Sequence, residues 1–107
     1  MRVDVTHQLG KDAAIPVMDR CLDHLLGGIG GSNVEILDKK KTWNGSNMRF
    51  SFTGKMGYIS VPLAGTIDVD EANVVVDMDL PPMVKTFVGE EKIRRLVETN
   101  VREMLAA

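Results

Sequence analysis

Two side chains of this 107-residue chain stand at a spacing that could do chemistry, Cys21 and His24, three apart. Residues three apart on a helix share a side, so the pair reads either as a thiolate with its base or as half of a metal site. Both chemistries need more partners: a structural zinc takes four ligands, and a nucleophile takes a third group to orient its base. The chain has one further histidine, His7, in a different segment. The plain structural reading is therefore a small buried thiol and a histidine on the helix border, and no catalytic, metal-binding or cofactor-binding residue is assigned. The carboxylates Asp68, Asp70, Glu71, Asp77 and Asp79 are close enough in sequence to suggest a cation site or an acid and base pair. Alternation along a strand instead sets Asp77 and Asp79 on a wet face, where charge also discourages edge-to-edge association. Lys39, Lys40 and Lys41 beside Trp43 offer cations for a phosphate, but a run of three is ordinary for a solvated turn.

The elements that must position these residues are legible from periodicity. Residues 2–6 alternate Val3 and Val5 with polar neighbours and predict a short edge strand. From residue 12 to about 26, Ala14, Met18, Leu22, Leu25 and Leu26 recur three or four apart, predicting a helix that turns Lys11, Asp19, Arg20 and Asp23 to water. Pro16 requires that helix to begin just before it, with Asp12 as its cap. Gly27, Gly28, Gly30 and Gly31 read as its stop. A phosphate-cradling loop is disfavoured there, because such loops follow a strand and open a helix.

Val34 and Ile36 begin a strand spanning 33–42, and Asn44-Gly45 signals a hairpin into Met48, Phe50 and Phe52. Residues 54–57 supply the next turn, and Ile59, Val61, Leu63, Ile67 and Val69 share one parity. Pro62 and Gly65 mark that strand as an edge or a bulge. Val74, Val76, Met78 and Leu80 form a fourth member of the meander, ended by Pro81 and Pro82. One helical turn closing at Gly89 follows, and then a helix over 90–107 with Ile93, Leu96, Val97, Val101, Met104 and Leu105 on one stripe. The fold class is α+β: a single domain over residues 1–107, in the order β-α-β-β-β-β-α, with both helices packed on one face of an antiparallel sheet.

Composition narrows function by exclusion. A formal charge of -2 at pH 7 lacks the electrostatic footprint of a nucleic-acid binder. The apolar runs are too short to span a membrane, and the first residues lack the pattern of a signal peptide. With a single cysteine, the expected location is the cytoplasm.

The most suggestive surface is apolar. Met83, Val84, Phe87 and Val88 are interrupted only by Lys85 and Thr86, and methionine suits adaptable contacts. These side chains either close the core or form a binding patch.

Laid out in full, the chain resembles the small polyhydroxyalkanoic acid system protein family. The residues that carry the resemblance are His7-Gln8-Leu9-Gly10-Lys11, Trp43 with Asn44-Gly45, and Phe50-Ser51-Phe52. It continues through residues 64–69, Ala-Gly-Thr-Ile-Asp-Val, then Leu80-Pro81 and Phe87-Val88-Gly89. The resemblance implies a non-enzymatic accessory protein of bacterial storage-polyester metabolism, binding a granule surface or a granule protein through residues 83–88. It implies no catalytic residue. The doubled proline with residues 83–89, and the glycine-rich loop, depart from the family pattern. A homodimer, formed through an edge strand or the apolar cluster, is a further expectation. Two other readings stand beside it: a small carrier holding an apolar ligand between helix and sheet, and an acyl-group enzyme requiring His7, His24 and Cys21 to converge.

Overall fold

The computed structural model describes residues 1–30, 35–87 and 89–106. The elements are β1 (Arg2–Thr6), α1 (Lys11–Gly30), β2 (Glu35–Asn44), β3 (Asn47–Met56), β4 (Ile59–Val69), β5 (Asn73–Asp79), α2 (Pro82–Phe87) and α3 (Glu90–Ala106). The five strands form one antiparallel sheet in the order β1-β5-β4-β3-β2. The predicted α+β class and element order hold, and β1 lies at an edge.

Period-two alternation explains which face is covered. Val3 and Val5, Met48, Phe50 and Phe52, Val61, Leu63, Ile67 and Val69, and Val74, Val76 and Met78 are all buried on one face. Ala14, Met18, Cys21, Leu22 and Leu26 of α1 and Val97, Val101 and Leu105 of α3 close over them. The Phe50 and Phe52 rings stack with centroids 6.4 Å apart. Leu96, predicted on the α3 stripe, is instead exposed, because the helix buries only a narrow seam.

β4 corrects the expectation of an edge or bulge, since it is the middle strand and pairs in regular register with β3 and β5. Pro62 is tolerated for a geometric reason. The turn between β3 and β4 is Gly57 and Tyr58, so the flanking pair Met56 and Ile59 is hydrogen-bonded. Alternation from there makes Thr53 and Pro62 a non-bonded pair, which aims the missing N–H away from β3. On that side β5 begins to pair only at Ala64 with Asp79, so no donor is required. Gly65 is required by close packing: a Cβ there would stand 2.5 Å from the Asp77 carbonyl oxygen and 2.7 Å from Phe50 Cζ.

Both predicted turns shift by a residue or more. The β2–β3 turn is centred on Gly45 and Ser46, with φ positive at Gly45 and not at Ser46, so Asn44 belongs to the strand. β3 runs on through Gly54 to Met56, because glycine weakens a strand without ending it.

The helix α1 starts at Lys11, so Pro16 sits one and a half turns in, on the exposed side, at the loss of one backbone hydrogen bond. Asp12 lies in the first turn and is not the cap. That role falls to Glu71 of the β4–β5 turn, whose Oε2 accepts from the Lys11 N–H at 3.2 Å. The helix also continues to Gly30 and does not stop after Leu26, since interior glycine costs only about 1 kcal/mol relative to alanine. Asn33 and Val34, predicted to open the next strand, and Gly31 and Ser32 lie outside the described residues.

Candidate functional site

The apolar cluster predicted at residues 83–88 is carried by α2, a six-residue helix with Pro82 at its first position, where the missing N–H costs nothing. The Val84 and Lys85 N–H groups return to the Pro81 carbonyl, and Thr86 Oγ1 donates to the Pro82 carbonyl at 2.9 Å. Met83 is 41% exposed, whereas Val84 is half-buried against the core. Val88 and the side chain of Phe87 lie outside the described residues. Within the described part, the cluster is thus divided between a core contact and a solvent-facing methionine. Tyr58 in the β3–β4 turn and Ile59, the first residue of β4, are further large apolar side chains in water.

Cys21 and His24 do not form a pair. Cys21 is fully buried, and burial pushes its thiol up to about 11, which suppresses the thiolate. His24 is exposed. His7 is buried and already employed: its Nδ1 accepts from the Leu9 N–H at 3.2 Å, so Nε2 carries the proton and donates to the Asp70 carbonyl at 2.9 Å. With the His7 N–H bonded to the Ala72 carbonyl, this ring ties the β1–α1 connection to the β4–β5 turn. Of the three residues named for the acyl-group enzyme, one is thus in the core, one faces solvent and one is bonded to the β4–β5 turn. Among the described residues no group of three or more His, Cys, Asp or Glu is placed to hold a metal ion.

The lysine run is not a solvated turn. Pairing between β2 and β3 slips between Leu37 and Lys40, where Asp38 takes φ 54°. This bulge switches the parity of β2, so that Ile36, Lys41 and Trp43 all lie on the helix-covered face. Lys41 Nζ reaches Asp23 Oδ2 at 3.0 Å and Asp19 Oδ1 at 3.1 Å, and Trp43 Nε1 donates to Asp19 Oδ1 at 2.8 Å. Asp19, predicted to face water, is the hub of a clip between α1 and the edge strand. The hydrogen bonds from Trp43 and then Lys41 hold its carboxyl below the usual range. For Lys41, desolvation opposes the charge but the bonds from Asp23 and Asp19 outweigh it, so its ammonium titrates higher than usual.

Two cavities frame the possibilities for a ligand. Between the helices and the sheet, bounded by Met18, Leu25, Phe50, Ile93 and Val101, the space is about 40 Å³. That accommodates about one water and is far below the roughly 300 Å³ of a small-molecule pocket, so this space lends the carrier expectation no support. The larger space, about 530 Å³, is an open groove on the other face of the sheet, with Lys40, Ser51, Thr53, Pro62, Ala64 and Asp79 among its lining. Strand alternation set Asp79 on a wet face, but only the cross-strand register shows that Lys40, Ser51 and Ala64 stand in its row and that Thr53 and Pro62 face each other in the next.

Fold and site together define a small α+β domain with one sheet face under helices, one face open, and a short apolar helix at the margin. No family model, curated protein or solved structure matches the chain. Among the described residues no helix is long and apolar enough to cross a membrane.

Proposed function

We propose that this protein is a non-enzymatic accessory factor of bacterial polyhydroxyalkanoate metabolism, acting in the cytoplasm at the storage-granule surface and binding polyester or a granule protein through α2. The reading rests on the resemblance carried by residues 7–11, 43–45, 50–52, 64–69, 80–81 and 87–89. The observation that supports it is the exposure of Met83 on a helix too short to be held by its own hydrogen bonds. A flexible thioether in water loses little freedom and gains apolar contact when it meets an ester-rich surface.

The test is co-sedimentation with polyhydroxybutyrate particles, with polystyrene beads as the control for nonspecific adhesion. Wild-type protein is expected to pellet with the polyester and not with polystyrene. Met83→Asp is expected to abolish capture while leaving the thermal midpoint unchanged, because the side chain is solvent-facing. Equal capture by both particles, or full capture of the variant, overturns the reading.

A further inference from the structure

The open face of the sheet carries a charge pattern that is complementary to itself. Register fixes one row across all five strands as Thr42, Arg49, Thr66, Asp77 and Arg2, and the adjoining row as Lys40, Ser51, Ala64 and Asp79. Arg49 and Asp77 are exposed and stand on opposite sides of β4, two strands apart, roughly 10 Å. Neither takes part in a salt bridge among the described residues. Between Arg49 and Asp77 the middle strand presents Thr66, and between Ser51 and Asp79 it presents Ala64, which lines the 530 Å³ groove, so small side chains along β4 permit close approach.

We propose that this face is an interface with a second copy of the chain, related by a two-fold axis running along β4. Such an axis exchanges the strands on its two sides, so Arg49 of each copy meets Asp77 of the other, twice per dimer. Ala64 and Thr66 lie on the axis and meet their own counterparts, and Asp79 comes opposite Ser51. Two sheets packed face to face keep their strand directions within about 30° of each other, which preserves these pairings. The face measures roughly 24 by 28 Å, close to the roughly 800 Å² per partner of a standard interface. Asp68, one row further along β4, meets its own copy, and this repulsion makes the association weak. The interface is distinct from α2, and both edges are blunted against edge-to-edge pairing: β1 by Arg94, whose Nη1 donates to the Arg2 carbonyl at 2.7 Å, and β2 by its bulge and lysines.

The experiment is sedimentation velocity of the full chain over a concentration series, using wild type, Arg49→Asp, Asp77→Arg, and an equimolar mixture of the two variants. Wild type is expected to dimerise reversibly and less tightly as salt rises. Each variant alone sets like charges opposite each other and is expected to weaken association roughly a hundredfold. In the mixture every contact regains opposite charges, so a mixed dimer forms although neither variant dimerises alone. Ala64→Arg, which adds bulk and charge on the axis, is expected to abolish association independently, and Asp68→Asn to strengthen it. Circular dichroism melts confirm that the variants fold. A wild type that stays monomeric throughout overturns the proposal and leaves the groove to a small ligand; association that survives both charge reversals overturns it in favour of another surface.

Discussion

Replacing Gly65 by alanine isolates the tightest feature of the sheet. Elsewhere such a change is commonly stabilising, by about 0.4–1 kcal/mol, because alanine narrows the unfolded ensemble. Here the added Cβ would stand 2.5 Å from the Asp77 carbonyl oxygen, 2.7 Å from Phe50 Cζ and 3.1 Å from Met78 Cγ. The two side chains can yield, but the carbonyl belongs to the β4–β5 ladder, where Thr66 faces Asp77 and Gly65 faces Met78. Overpacking of this kind costs about 1–3 kcal/mol, and a backbone obstacle points to the upper part of that range. A net loss of about 2 kcal/mol lowers the melting temperature of a domain this size by on the order of 8–16 °C. Thermal and urea unfolding followed by circular dichroism measure it. Adding Phe50→Leu to Gly65→Ala removes one of the three contacts and is expected to recover nothing from the carbonyl clash, while opening a cavity of its own. A Gly65→Ala protein as stable as wild type would refute the packing argument.

Two further perturbations address the core thiol and the α1–β2 clip. Cys21 keeps its proton to about pH 11 when folded, against 9.0 when exposed. Between those values the unfolded chain binds fewer protons than the native one, so stability falls as pH rises, by on the order of 3 kcal/mol across the window. Cys21→Ala should flatten that slope in urea titrations at pH 8–11, and a thiol reagent at pH 8 should label the wild type only as it unfolds. Trp43→Phe removes the donor to Asp19 Oδ1 and is expected to cost about 1 kcal/mol. It also lets the Asp19 carboxyl rise towards its ordinary value. Because that carboxyl is depressed in the native state, the stability it contributes is present above its ordinary value of 3.8 and is lost as pH falls further. Carbon-detected NMR titration of Asp19 in wild type and variant reads the shift, and identical titrations would exclude Trp43 as its cause.

Much of the architecture was legible because local periodicity and burial agree. Val74, Val76 and Met78 are buried while Asp77 and Asp79 are exposed, and Val97, Val101 and Leu105 form the buried seam of α3. Turn positions were less legible: Gly54 and Asn44 carry turn propensity, yet pairing with a neighbouring strand retains both in the ladder. The candidate site was legible only in part. Apolar composition pointed to residues 83–88, but composition does not distinguish the half-buried Val84 from the exposed Met83.

By itself the sequence determined the class of the fold, the order of its elements and the identity of its buried face, since these follow from spacing between near neighbours. Only the tertiary structure decided what depends on residues distant in sequence. It made β4 the central strand, where Pro62 survives because β5 starts pairing two residues beyond it. It turned His7 from a candidate base into a clamp on residues 70–72, and Asp19 from a solvent-facing acid into the partner of Trp43 and Lys41. It also set Arg49 and Asp77 in one row across the middle strand, a relation that strand alternation cannot express because register is a property of pairs of strands.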